Sequence, residues 1–342
     1  MKTGTYNPKE FGAASSEEPI LEKVARAAKG VKALDLRLGI GDDAALLRQR
    51  SGYEAILTCD WFLEGVHFLR EKHPADAVGW KCLARAVSDV AAMGGEAKCF
   101  LLGLALPSPL AGRWLDEFLG GLRRAARSFR CSLAGGDTTR QERVRIHVTV
   151  VGEIRAGRAR LRSGARPGNV VFVSGRLGEA EAGLRLLRRG RGQADAKDQR
   201  LRKHLYPEPR LALGRWLAQK RLATAMMDLS DGLSTDLARL CTASGVGARI
   251  EAERIPAVRV PERVDQRGAS ALRLALHGGD DYELLFTVPR SRAGRVPKAF
   301  HGVPLSAIGE ITLARRVLLI EENGEVRRLQ PGGWDAFAGG RR

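Results

Sequence analysis

The sequence lacks any apolar run approaching the roughly 18 to 20 residues a bilayer-crossing helix needs, which excludes an integral membrane helix. Its opening, MKTGTYNPKEFGAASSEE, carries no hydrophobic leader segment, so the chain is expected in the cytoplasm. Cysteine is scarce, with Cys59, Cys82, Cys99, Cys131 and Cys241 scattered and no C-x-x-C pair. That excludes a disulfide framework and a cysteine zinc site, and leaves reduced thiols. No G-x-x-x-x-G-K-[ST] loop, no G-x-G-x-x-G after a strand, and no H-R-D or D-F-G set is present. Neither H-E-x-x-H nor G-x-S-x-G occurs, and the six histidines are dispersed, so zinc-dependent and serine hydrolysis lose their usual machinery.

What is present is length and positive charge. A chain of 342 residues with 44% hydrophobic residues can build two domains with real cores. Its formal charge is +18. A basic surface is the electrostatic footprint of phosphate binding, which keeps a nucleic-acid-binding protein among the readings. The arginines, however, concentrate in GLRRAARSFR (121 to 130) and GLRLLRRGRG (183 to 192), where apolar residues recur at helical spacing. These read as solvated outer faces of amphipathic helices, and no aromatic-interleaved basic strand accompanies them. Nucleic acid is therefore not an expected partner.

Strand-like and helical stretches alternate, which predicts a mixed α/β fold of α+β type. Residues 53 to 60 read as a strand, 75 to 93 as a helix, 98 to 107 as a buried strand stopped by Pro107, 111 to 129 as a helix and 144 to 153 as a strand. The Arg-, Gly- and Pro-rich segment 155 to 169 marks the domain boundary, giving domains 1–155 and 156–342. Beyond it VFVSGRLGEAEAG has a strand, a glycine turn and a helix. A phosphate cradle and a plain connection fit it equally.

The chemistry-bearing feature is a set of aspartates that runs against the basic trend: Asp42 and Asp43 in GIGDDAALL, Asp60, Asp89, Asp137 in GGDTTR, and Asp228 and Asp231 in MDLSDGLSTDL. Most read as strand ends or glycine-flanked turns, where backbone can approach a ligand. Oxygen-only ligands suit Mg²⁺, which takes one or two carboxylates and fills its shell with water and substrate phosphates. A nucleotide is the implied partner. Duller readings stay open: Asp89 four residues after Arg85 as a helix ion pair, Ser230 or Asp231 as a helix cap, and Asp137 with Thr138 as an ordinary turn. The clusters carry no basic residue in their core, so carboxylates gathered in space would need cations.

GIGDDAALL, TCD followed by EGVHF, SDVAAMG, GGDTTR, RSGARPG, MDLSDGL, HGGDDYELLF and GGWDAF, in this order from about residue 17 to 337, resemble the thiamine-monophosphate kinase family. The acidic elements alone would also fit the wider group with aminoimidazole ribonucleotide synthetase and selenophosphate synthetase. HGGDDYEL and the Trp334 segment favour the thiamine enzyme over an ATP-dependent ligase. The resemblance implies two α/β domains, a homodimer whose N-terminal sheets pair, several Mg²⁺ ions, and ATP with thiamine monophosphate as substrates. It implies metal ligands at Asp43, Thr58, Cys59, Asp60, Asp89, Asp137, Asp228 and Asp231, ATP contacts at Gly136, Asp137, Arg162 and Ser230, and substrate contacts at His67, Asp280 and Trp334. Three positions depart from the family pattern: Cys59 replaces a hydroxyl residue, Asp280 a Glu, and Ala86 an Asn. No residue is implied as a general base, which agrees with a phosphate nucleophile already largely ionised at neutral pH because its second pKa is about 6.

Overall fold

The computed structural model describes residues 18–29, 35–40, 44–190, 192–258 and 270–337. The chain divides into two units, Met1–Val87 with Ala97–Glu153, and Ser88–Glu96 with Ile154–Arg342. In the first, α1 (Glu18–Ala28) precedes the short antiparallel pair β1 (Leu36–Leu38) and β2 (Leu46–Leu47). β3 (Tyr53–Leu63), α2 (Ala75–Met93), β4 (Glu96–Leu106), α3 (Arg113–Phe129), β5 (Ser132–Arg140) and β6 (Arg145–Arg155) follow. The sheet order is β3-β6-β4-β5, with β4 and β5 parallel. Strand alternation splits this sheet into two faces. Leu102, Leu104, Ile146, Val148 and Val150 are buried, whereas Leu57, Trp61 and Leu101 are exposed. The arginine-rich run 121 to 130 lies on and just after α3, whose Leu115, Phe118, Leu122 and Phe129 are buried while Arg123, Arg124 and Arg127 face solvent.

The second unit adds β7 (Asn169–Ser174), α4 (Glu179–Arg189), α5 (Arg202–Leu205), α6 (Leu211–Gln219), β8 (Ala225–Leu229), α7 (Leu233–Ser244) and β9 (Gly247–Glu251). It continues with α8 (Ala271–His277), β10 (Glu283–Pro289), α9 (Arg290–Ala293), β11 (Ala299–Phe300), β12 (Val303–Thr312), β13 (Val317–Ile320) and β14 (Val326–Arg328). The sheet runs β14-β13-β9-β12-β7-β10-β8, with β11 on β12. Its central strands are apolar without alternation because both faces are covered. Val171, Val173, Met227 and Leu285 pack with Leu237, Leu240 and Leu276, while Phe172, Met226 and Phe286 pack with Leu213 and Leu217. β10 pairs antiparallel with β8, setting Leu284 opposite Asp228 and Glu283 opposite Leu229. That register brings the loop leaving β8 beside the loop entering β10. Among the described residues no helix is long and apolar enough to cross a membrane.

Candidate active site

Asp228, the penultimate residue of β8, is a buried carboxylate that accepts a 2.7 Å hydrogen bond from Ser88 Oγ. Burial, then repulsion from Asp89 and Asp236, pushes its pKa up to about 7, against the pull of the Ser88 hydroxyl and the Arg162 guanidinium. A carboxylate buried beside like charges is stabilised by a cation placed between them. The donors here are hard oxygens, the chemistry Mg²⁺ takes. Among the described residues no three His, Cys, Asp or Glu side chains stand together as a ready metal cage. Such a donor set fits an ion that brings phosphate and water ligands with it, and Asp89, Asp228 and Asp231 are the groups of this unit that would hold it.

Asp231 departs from the sequence expectation of acidic clusters free of basic residues. Arg239 donates to its carboxylate and, at 3.0 Å, to that of Asp236. Asp60, in the first unit, likewise has Arg85 at 3.8 Å. Neither Ser230 nor Asp231 caps α7 with its side chain. Gly232 is the N-cap residue, and Asp236 reaches back to accept from the amides of Asp231 and Gly232 at 3.0 and 3.1 Å. Asp236 thus takes the capping duty, and the Asp231 carboxylate points elsewhere.

The loop before β10 folds onto the same place. The Asp280 amide donates to the Ser230 carbonyl at 2.8 Å, and the Tyr282 amide to the Leu229 carbonyl at 2.9 Å. Both residues have positive φ, 68° and 50°, a conformation that Asp tolerates and an aromatic residue rarely adopts. The strain has a consequence, since the Tyr282 hydroxyl donates to Asp280 Oδ1 at 2.7 Å and orients that carboxylate. The Trp334 amide donates to the Asp231 carbonyl at 2.9 Å. Ser230, Asp231, Asp280 and Trp334 are therefore tied together by main-chain bonds within one unit. The neighbouring Asp281 does something else: buried, it accepts from the amides of Gly178 and Ala180 at 2.6 and 3.2 Å. A protein carboxylate thereby fills the start of α4, so VFVSGRLGEAEAG offers those amides to no phosphate.

In the first unit the predicted site residues lie on strands more than in turns. Thr58, Cys59 and Asp60 are all within β3, and Gly136 and Asp137 within β5, which corrects the reading of Asp137 as a turn. Alternation sets Cys59 on the exposed face with Leu57 and Trp61, opposite Thr58 and Asp60. Its thiol therefore does not point where Asp60 does, and its carbonyl is the only oxygen it could offer a metal. Gly136 pairs with Leu102 so closely that a Cβ would stand 2.0 Å from the Leu102 carbonyl oxygen, so only glycine fits. His67 accepts from the Leu63 amide through Nδ1 at 3.0 Å, which sets the proton of its neutral form on Nε2. Asp42 and Asp43 lie outside the described residues.

Two family models match, the AIR synthase related protein N-terminal domain over residues 41–154 and its C-terminal domain over 166–320. Thiamine-monophosphate kinase of Escherichia coli K12 is 39% identical over 309 residues, covering 89% of this chain and 93% of that one. The chain belongs to the thiamine-monophosphate kinase family. The Aquifex aeolicus enzyme is 36% identical, with 87% and 92% of the two chains covered. Among solved structures, the Stenotrophomonas maltophilia thiamine-monophosphate kinase superposes with a TM-score of 0.79 at 34% identity, covering 91% of this chain and 97% of that one. A structure of AaThiL complexed with AMPPCP and TMP gives 0.74 at 33%, covering 98% and 100%. These likenesses fix the two α/β domains expected from sequence. Of the departures from the family pattern, Ala86 is a fully buried residue of α2. Asp280, though shorter than Glu, is the residue Tyr282 holds in place. Asp236, Arg239, Tyr282 and Ser88 were not among the predicted site residues. The signals for them were faint: an acid in the first turn of a helix, an Arg three residues later, and an aromatic two residues after Asp280.

Proposed function

We infer that this chain transfers the γ-phosphoryl of ATP to thiamine monophosphate, forming thiamine diphosphate and ADP. The observation that carries the reading is near-full-length identity of 33–39% to enzymes of that name. An oxygen of the substrate phosphate attacks the γ-phosphorus as the bond to the β–γ bridging oxygen breaks, and no general base is required. Mg²⁺, when bound with the nucleotide, neutralises phosphate charge. The chain's own part is positioning. Asp43, Thr58, Asp60, Asp89, Asp137, Asp228, Asp231 and the Cys59 carbonyl would hold the metal ions. Gly136, Asp137, Arg162 and Ser230 hold ATP. His67, Asp280 and Trp334 hold the thiamine moiety, with the Trp334 ring facing its cationic thiazolium, a contact worth ~0.5–2 kcal/mol. Purified protein incubated with thiamine monophosphate and Mg-ATP should yield thiamine diphosphate by mass spectrometry. Absence of that product overturns the reading.

Asp280 supplies substrate recognition in this scheme. Asp280→Asn keeps a residue that tolerates positive φ while removing the charge. It should raise KM for thiamine monophosphate about tenfold, roughly 1.4 kcal/mol, and leave KM for ATP nearly unchanged. An equal rise in both KM values would mean that Asp280 only shapes its loop.

The exposed apolar face carrying Leu57, Trp61 and Leu101 supports a homodimer in which N-terminal sheets pair. Light scattering should give twice the chain mass for the wild type and the single mass for Leu57→Asp/Trp61→Asp; a wild type that stays monomeric excludes the pairing. A cytoplasmic location, where ATP and reduced thiols are found, fits the five free cysteines.

A further inference from the structure

Among the described residues beyond β14 there is no helix or strand, yet three consecutive amides there are pinned. The Gly332 amide donates to Ser234 Oγ at 3.2 Å, the Gly333 amide to Thr235 Oγ1 at 3.1 Å, and the Trp334 amide to the Asp231 carbonyl at 2.9 Å. All three acceptors belong to the loop and first turn of α7. The approach is so close that a Cβ on Gly333 would stand 1.8 Å from the Asp231 carbonyl oxygen. Ser234 is fully buried, and its hydroxyl lies 2.8 Å from His277 Nδ1. Burial, then Arg273 and Arg327, pushes the His277 pKa down. A neutral imidazole can accept the Ser234 proton through Nδ1, leaving a hydroxyl lone pair for the Gly332 amide.

We propose that Ser234, braced by His277, and Thr235 are positioning residues of the thiamine site: they clamp the Gly332–Trp334 segment to the loop bearing Ser230 and Asp231, and so set where the Trp334 ring stands. The proposal rests on the reading of Trp334 as a substrate-facing residue. A Gly-Gly coil loses more conformational freedom on ordering than any other dipeptide, a cost that these hydrogen bonds help to offset. The rival is a tie-down of the C-terminal segment that stabilises the chain and touches neither substrate.

The test uses the full-length chain. Wild type is first assayed with thiamine monophosphate and Mg-ATP; no turnover there refutes the functional reading, and the clamp is then judged on hydrogen exchange alone. Exchange of the Gly332, Gly333 and Trp334 amides should be slow in wild type and at least about tenfold faster in Ser234→Ala/Thr235→Val. In kinetics, Ser234→Ala and Thr235→Val should each raise KM for thiamine monophosphate roughly three- to tenfold, the range a lost hydrogen bond gives, with kcat, KM for ATP and the Mg²⁺ dependence within about twofold. Thr235→Ser, which keeps the hydroxyl, should stay at the wild-type value. Trp334→Ala should reproduce the selective KM rise. Coil-like exchange in wild type overturns the clamp. In an active enzyme, equal rises in both KM values, or a double variant within twofold of wild type for thiamine monophosphate, overturn the positioning role.

Discussion

Asp231→Asn and Asp137→Asn should each lower turnover with thiamine monophosphate more than tenfold, at least ~1.4 kcal/mol of transition-state stabilisation. Both changes keep the side chain's size and remove the charge that a hard cation needs. The fold should survive them. Asp137 is exposed on β5. Asp231 keeps its main-chain bonds to Asp236 and Trp334, and its ion pair with Arg239 is partly open to water, with side-chain exposures of 21% and 44%. A pair so exposed contributes no more than about 1 kcal/mol. Steady-state rates alongside melting curves therefore separate lost chemistry from lost structure. If both folded variants retain a third or more of wild-type turnover, magnesium is not held where we propose. Asp42→Asn is the contrasting variant, since the ligand role is assigned to Asp43; a loss at Asp42 equal to that at Asp231 would put the register of that segment one residue out.

Local pattern carried the elements and missed their long-range contacts. The helix read at 75 to 93 is Ala75–Met93, and the strand read at 53 to 60 runs on to Leu63, because periodicity is a property of neighbours in sequence. HGGDDYEL shows the limit. Its two adjacent aspartates look alike in sequence, yet Asp280 turns to Tyr282 and the Ser230 loop while Asp281 caps a helix that starts a hundred residues earlier. Only the β8–β10 register decides which does which. Likewise nothing local says that Asp236, five residues after Asp231, takes the helix cap and leaves the earlier carboxylate to other work. The grouping of Ser88–Glu96 with the second unit is also a matter of packing, although Ser88–Met93 are the end of the helix that begins at Ala75.

Glu283→Gln should destabilise the second unit by ~3 kcal/mol or more at neutral pH, with no direct part in either substrate site. Glu283 opens β10 and is fully buried. Its carboxylate accepts from Lys203, from Arg210 at 2.5 and 2.7 Å, and from Ser174 Oγ at 2.5 Å. Burial alone would push its pKa up; Lys203 and Arg210 outweigh that and hold it at about 2, below the ordinary 4.5. Because the folded value is the lower one, the stabilisation is fully present above about pH 4.5 and drains away as pH falls towards 2. The displacement corresponds to an energy on the order of 3 kcal/mol. Removing one partner of a buried ion network costs about 3 to 5 kcal/mol, since the remaining charges lose their compensation. The lower end is expected here, because Lys203 and Arg210 also line a cavity of about 510 Å³ where water can reach them. For a unit of this size the melting midpoint should drop by roughly 6 to 12 °C at pH 7. The gap between wild type and variant should narrow as pH falls from 4.5 towards 2. A drop under about 2 °C at pH 7, or a gap that widens in acid, would mean that the two cations find equal stabilisation in the solvent of the cavity and that the carboxylate is dispensable to the fold.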